Sequence, residues 1–319
     1  MKRLNLVFMG TPHFALPTLK LLHLSAHNVE AVVTQPDRRS GRGRNLCPSP
    51  VKEWSIKQGL EIFQPLKARD PLFLAWLKEK HPDLVITAAF GQILTADLLR
   101  VPAIGCINLH ASYLPAYRGA APIHRAVMEG APYSGVSIIE MTKELDAGDI
   151  FLQERVDISP FDTAGTLHDR LAERGADLLL KTVNALAEGK AEKRVQDHRL
   201  ATYARPLSRE EEKLDWNLDA MELYNRIRGL NPWPGAYTVF KGKRVKVWKA
   251  ALPDMNEDTA GSADPGTILS AGDDSLTVAT GKGSLILLDL QPAGKKAMDA
   301  ASFCCGYRVD PGECLGGDA

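Results

Sequence analysis

Along the first half of the chain, short β-branched or apolar runs alternate with stretches of helical spacing. LNLVFMG (4–10), VEAVVTQ (29–35), LEIF (60–63), DLVITAA (83–89), GCINLH (105–110) and GVSIIEM (135–141) have the length and composition of buried strands. Between them, Asp70-Pro71 offers an N-cap and a first-turn proline to LFLAWLKEK, and PIHRAVMEG is also spaced as a helix. Strands alternating with helices predict an α/β domain, a Rossmann-like, mostly parallel sheet with helices on both faces. From Thr163 to Glu188, Leu167, Leu171, Leu178, Leu179, Val183 and Leu186 fall at helical spacing, and Gly189 is a natural stop. We therefore end a first domain, residues 1–189, at that helix. The polar stretch 190–206 has few apolar anchors and suits a linker across a surface.

Beyond residue 207 the texture changes. One helix (Asp219 to Arg228) leads into NPWPGAYTVF, KRVKVWKA, GTILSA, SLTVAT and SLILLDL, short strands at regular spacing with Gly and Asp turns. They predict a second domain over 207–314, a small β-barrel of OB-like type. The tail after Pro311 is Gly-rich and expected to fray. A chain of 319 residues is long enough for both cores.

Composition narrows the partners more than the fold. Hydrophobic residues make up 45% and charged residues 24%, with 39 basic against 39 acidic side chains, so any nucleic-acid contact must come from a local patch. MKRLNLVFMG has about six apolar residues before Gly10, too few for a signal segment, and no later run approaches the roughly 20 needed to span a bilayer. A cytoplasmic protein with no membrane contact is expected. The five cysteines are odd in number and form no C-x-x-C pair, which favours buried or incidental thiols over metal ligands or disulfides.

The chemistry concentrates in CINLHASYLPAYRGAAPIHRA (106–126). Side chains alternate along a strand, so Asn108 and His110 share a face while Ile107 and Leu109 point the other way. In open α/β sheets ligands bind beyond the carboxyl ends of strands, where this segment turns into a loop. An imidazole there can exchange protons and an amide can donate to a developing oxyanion; equally, such a pair can satisfy loop backbone groups. The following loop, TKELDAGDI (142–150), offers Asp146, which could orient the histidine, hold a water, or serve only as an Asx turn. Gly10-Thr11-Pro12 lacks the dinucleotide and P-loop patterns. In PDRRSGRGRNLCPSP (36–50), Arg38, Arg39, Arg42 and Arg44 crowd among glycines, either as a solvated loop or as a grip on phosphates and bases. KGKRVKVWK (241–249) adds a second cationic run, including Lys243 and Lys246, which could equally protect a sheet edge.

With these segments in hand, the chain closely resembles the methionyl-tRNA formyltransferase family. FMGTPHFALP, TQPDRRSGRG with SPVK, AAFGQIL, INLHASYLPAYRGAAPIHRA, ELDAGDI, NPWPGA, VKVWKA and LQPAGKKAM carry the likeness, to about residue 309. The N-x-H and Asp set alone marks the wider superfamily that uses 10-formyltetrahydrofolate. The resemblance implies transfer of a formyl group from that co-substrate to the α-amino group of methionyl initiator tRNA, with no metal. It makes Asn108, His110 and Asp146 the catalytic trio. It puts Ser112, Tyr113, Leu114 and Pro115, with Phe90, Gly91 and Ile93, at the folate site. It assigns Arg38, Arg39, Arg42 and Arg44, with Lys243 and Lys246 of the barrel, to the tRNA. The family usually has S-L-L-P where this chain has Tyr113, which bears on the shape of the pocket. A partner of tRNA size and an ordinary surface composition lean towards a monomer. The alternatives are another folate-dependent formyl transfer or hydrolysis with the same trio, and a non-catalytic RNA-binding protein.

Overall fold

The computed structural model describes residues 2–40, 45–253, 263–272 and 275–317. The chain divides into two compact units. One comprises Met1–Pro122, Tyr133–Asp157 and His168–Ala204, the other Ile123–Pro132, Ile158–Leu167 and Arg205–Ala319.

The first unit is built on a seven-stranded sheet. Its strands are β1 (Asn5–Gly10), β2 (Asn28–Val33), β5 (Glu61–Phe63), β6 (Leu84–Ala88), β7 (Gly105–His110), β9 (Tyr133–Glu140) and β10 (Ile150–Asp157), in the order β10-β9-β7-β6-β1-β2-β5. β3 (Arg38–Ser40) and β4 (Asn45–Cys47) form a separate hairpin, and β8 (Arg118–Gly119) pairs with β11 (Tyr203–Ala204). Pairing is parallel from β5 across to β7 and antiparallel for β9 and β10. Every residue of β6, and of β1 after Asn5, is buried, so these strands read as unbroken apolar runs rather than alternating ones. Val7, Met9, Val85 and Cys106 pack with Phe73 and Leu77 of α3 (Pro71–Glu79) and with Leu98 of α4 (Ala96–Leu99).

Local signals set the helix ends. α1 (Leu16–His23) carries a proline in its first turn. α2 (Pro50–Lys57) is capped by the Ser49 hydroxyl, which accepts from Lys52 N–H, and α3 by Asp70, which accepts from Leu72 N–H. α5 (Pro122–Met128) and α6 (Ala164–Ala187) follow. The stripe expected on α6 is fully buried at Leu167, Leu171, Leu179 and Val183.

The second unit is an antiparallel half-barrel. β12 (Tyr237–Phe240), β13 (Lys243–Ala251), β14 (Ile268–Ala271), β15 (Leu276–Ala279) and β16 (Ser284–Pro292) run in the order β12-β13-β16-β15-β14, with β17 (Met298–Asp299) beside β16. Val245 and Val247 alternate into a core shared with Leu223 and Ile227 of α7 (Ala220–Gly229) and Phe303 of α8 (Ala300–Tyr307). α7 starts in a capping box between Asp219 and Glu222. The sheet and half-barrel agree with the predicted fold class, whereas β10, the β3–β4 hairpin, α1, α2 and α8 were not anticipated.

Within this unit, Arg125 is 7% exposed and donates from Nη2 to Glu211 Oε2 at 2.9 Å and to the Pro206 carbonyl at 3.0 Å. The Arg125 guanidinium holds the Glu211 carboxyl down from 4.5 to about 2. A depressed carboxylate contributes stability that is complete above its unfolded value and is lost as pH falls through the folded one. Glu211→Gln is therefore expected to be less stable than the parent at pH 7. That gap should narrow between pH 4.5 and about 2 in denaturant titrations, and a gap independent of pH over that window would contradict the pairing.

Candidate active site

Asn108 and His110 lie on one face of β7, and His110 is its last residue. The neighbouring strand brings Thr87 into register with Asn108. The Thr87 hydroxyl has one proton and three acceptors in reach: Asn108 Oδ1 at 2.7 Å, Met141 Sδ at 3.2 Å and the Ile107 carbonyl at 3.4 Å. The amide oxygen is the shortest and strongest of these, so the network turns the carbonyl side of Asn108 inward. Nδ2 is left facing outward from a half-buried residue, with no hydrogen-bond partner among the described residues.

His110 is 6% exposed. Its Nε2 lies 3.0 Å from the Tyr117 carbonyl, which can only accept, so Nε2 carries a proton. The exchangeable position is therefore Nδ1, which faces Asp146 Oδ2 at 3.6 Å. That distance is too long for a direct hydrogen bond, and it is within ion-pair range when the ring is protonated.

Asp146 sits in the β9–β10 loop at φ +49°, an uncommon conformation for a residue with a side chain. Its Oδ2 accepts from Gly119 N–H at 2.8 Å. Gly119 itself has φ +114°, and a Cβ there would lie 2.9 Å from the Ala204 carbonyl. The Asp146 and Gly148 carbonyls both accept from Gln196 Nε2, at 2.8 and 2.7 Å, and Gln196 Oε1 accepts from Arg118 Nη2 at 2.7 Å. Thr87 and Gln196 were not singled out from the sequence, and Arg118 and Gly119 were given no role there. Only the N-x-H alternation and the strand register could have pointed to Thr87. Gln196 belongs to the stretch read as a linker, where β11 and a bridge from Arg194 to Ile150 also pair with the first unit.

The other expected site residues are distributed as follows. Ser112 is fully buried and donates to the Ala116 carbonyl, while Leu114, 1% exposed, has its N–H on Ser137 Oγ and its carbonyl on Gln153 Nε2. Tyr113 and Pro115 are half-buried. Phe90 is 3% exposed, with its carbonyl accepting from Gln35 Nε2 and Thr11 Oγ1; Gly91 is exposed, and Ile93 is 80% exposed. Arg38 and Arg39 are exposed on β3, where Arg38 donates to Gln35 Oε1; Arg42 and Arg44 lie outside the described residues. Lys243 is exposed, whereas Lys246 donates to the Pro234 carbonyl at 2.7 Å and lies over the Trp248 ring. Cys106, on β7, is a buried thiol, and burial pushes it up to about 12. No helix among the described residues is long and apolar enough to cross a membrane.

The formyl transferase family matches residues 2–183, and the formyl transferase C-terminal domain matches residues 206–308. A methionyl-tRNA formyltransferase of Moorella thermoacetica is 49% identical over 313 residues, covering 98% of this chain and 99% of that protein. The chain belongs to the methionyl-tRNA formyltransferase family. Among solved structures, HypX from Aquifex aeolicus with tetrahydrofolic acid superposes at TM-score 0.63 and 16% identity. The match covers 98% of this chain and 49% of that one, so the chain spans about half of HypX. WlaRD, a sugar 3N-formyl transferase solved with dTDP and 5-N-formyl-THF, gives TM-score 0.65 at 17% identity, covering 93% of this chain and 100% of its own. At such identities these two structures show the fold alone. The N-terminal formyl transferase region, 2–183, includes Asn108, His110 and Asp146.

In this formyltransferase the Asp146 loop closes on β9 at Gly148, where a Cβ would meet the Glu140 carbonyl oxygen at 1.9 Å. Gly148→Ala is expected to force that backbone apart and cost about 1–3 kcal/mol, as overpacking does. Chemical denaturation measures it, and a parental midpoint would show that the loop is not constrained there.

Proposed function

We propose that this chain transfers the formyl group of 10-formyltetrahydrofolate to the α-amino group of methionyl initiator tRNA. The observation that carries this reading is the pair of polar atoms at the end of β7: Asn108 Nδ2, with no hydrogen-bond partner among the described residues, and His110 Nδ1, which faces the Asp146 carboxylate. Near-full-length identity to a methionyl-tRNA formyltransferase supports the substrate pair. The folate ligands of HypX and WlaRD support the donor class.

The reaction forms a bond from the amine nitrogen to the formyl carbon and breaks the bond from that carbon to the folate nitrogen. The amine gives up one proton and the departing nitrogen takes one. An α-amino group with a pKa near about 8 is already partly unprotonated at neutral pH, so the larger task is the oxyanion of the tetrahedral intermediate. Asn108 Nδ2 is the donor for that charge. His110 Nδ1 is the atom that receives the amine's proton and returns one to the leaving nitrogen, and Asp146 stabilises the ring while it is positive. Tyr113, Pro115, Gly91 and Ile93 offer reachable surface to the folate. Phe90, Ser112 and Leu114 shape it from within. Arg38, Arg39, Arg42, Arg44, Lys243 and Lys246 serve the tRNA phosphates, and a monomer in the cytoplasm fits this work.

Asn108→Ala is expected to lower kcat for formylation of methionyl-tRNA by a hundredfold or more, about 3 kcal/mol, with the KM for tRNA little changed. Parental kcat in Asn108→Ala and in His110→Ala would overturn the assignment. Arg39→Ala and Lys243→Ala should each reduce the slope of log KM for tRNA against log salt by up to about 0.9, the share of one phosphate contact. An unchanged slope in both removes these residues from the tRNA contact.

A further inference from the structure

Between residues 192 and 200 only one side chain is buried, and it is polar: Gln196, 3% exposed, flanked by exposed residues on both sides. Burying an amide is unfavourable unless each of its groups is satisfied. Here one end meets two carbonyls and the other meets a guanidinium, so its orientation is fixed: Nε2 donates to Asp146 O and Gly148 O, and Oε1 accepts from Arg118. One of these carbonyls belongs to Asp146 itself, where the chain turns through φ +49°, and the other lies two residues further on. On the far side, Gly119 N–H, one residue along from Arg118, holds the Asp146 carboxylate. The backbone of Asp146 and its side chain are thus tied to the same short segment, and Gln196 closes the ring.

We propose that Gln196 is a positioning residue for the formyl transfer: by clamping the Asp146 and Gly148 carbonyls it sets where the Asp146 carboxylate stands relative to His110. This rests on the catalytic reading of Asp146 given above. Gln196 touches no reacting atom, and it acts through the aspartate alone. A misplacement of about 1 Å in a catalytic group can cost on the order of a hundredfold, which sets the scale of the effect.

The test is a double-substitution cycle read by single-turnover formyl transfer with the full-length enzyme. Gln196→Met removes the clamp while keeping the side-chain volume. Gln196→Glu keeps an acceptor for Arg118 and removes the donor, so it decides the matter if Gln196→Met does not fold. Each is expected to lower the transfer rate roughly tenfold to a hundredfold, with KM for either substrate moved less than about threefold. In an Asp146→Ala background the same substitutions should change the rate by less than about twofold, because the group they act through is gone. A rate within twofold of the parent in the folded variants overturns the inference, and so does an equal loss in the Asp146→Ala background, which is what a merely structural role gives. Parental rate in Asp146→Ala alone overturns instead the catalytic reading on which the inference stands.

Discussion

A strand hydrogen-bonded along both edges is the constraint on which the site depends. β7 is paired in parallel with β6 and antiparallel with β9. A slip of one residue in either ladder would carry Asn108 and His110 to the opposite face and bring Ile107 and Leu109 to the site. The sheet's apolar packing opposes such a slip, because β6 is buried throughout. The spacing of amide and imidazole is therefore a property of the whole sheet. The Thr87 hydroxyl reaches the Asn108 amide for the same reason: register sets the two residues opposite each other.

The carboxylate is held by different means, because it comes from a loop. A non-glycine residue in the left-handed region costs on the order of 1–3 kcal/mol. Around Asp146 that cost meets three hydrogen bonds, one from Gly119 N–H and two from Gln196, each contributing roughly 1 kcal/mol net. The two are of similar size. Two glycines, Gly119 and Gly148, allow the backbones to approach closely enough to make them.

How much of this was legible in the sequence follows from the range of each signal. Five parallel strands and β9 were visible as apolar runs, and α3, α6 and α7 through caps and stripes, because these are local patterns. β10 was not, since IFLQERVD faces outward at the sheet edge with a mixed pattern of exposure. α8 was missed because AASFCCGY has no polar face to define a period. At the site, alternation alone gave Asn108 and His110 a common face, and the loop after β9 offered Asp146. Thr87 is 21 positions from Asn108, and Gln196 is 50 from Asp146 and 78 from Arg118. No local period carries such pairings, so a buried glutamine in a polar run looked like part of a connector.

The placement of charge completes the picture. Arg118 is 3% exposed and, among the described residues, forms no ion pair with a carboxylate; its Nη2 instead meets Gln196 Oε1 and His198 Nδ1. Asp146 belongs to the same network, yet it joins through its backbone carbonyl, to which the neutral Gln196 amide donates, and not through its carboxylate. A direct pair would give a short, charge-assisted bond and would spend the field of the carboxylate on the arginine. The glutamine ties the backbone of Asp146 to the buried cation and leaves the carboxylate out of that contact. The carboxylate itself meets Gly119 N–H at 2.8 Å and faces the imidazole at 3.6 Å. Position and charge are thus supplied to Asp146 by separate neighbours, and this separation lets one acidic side chain be both firmly held and electrostatically available.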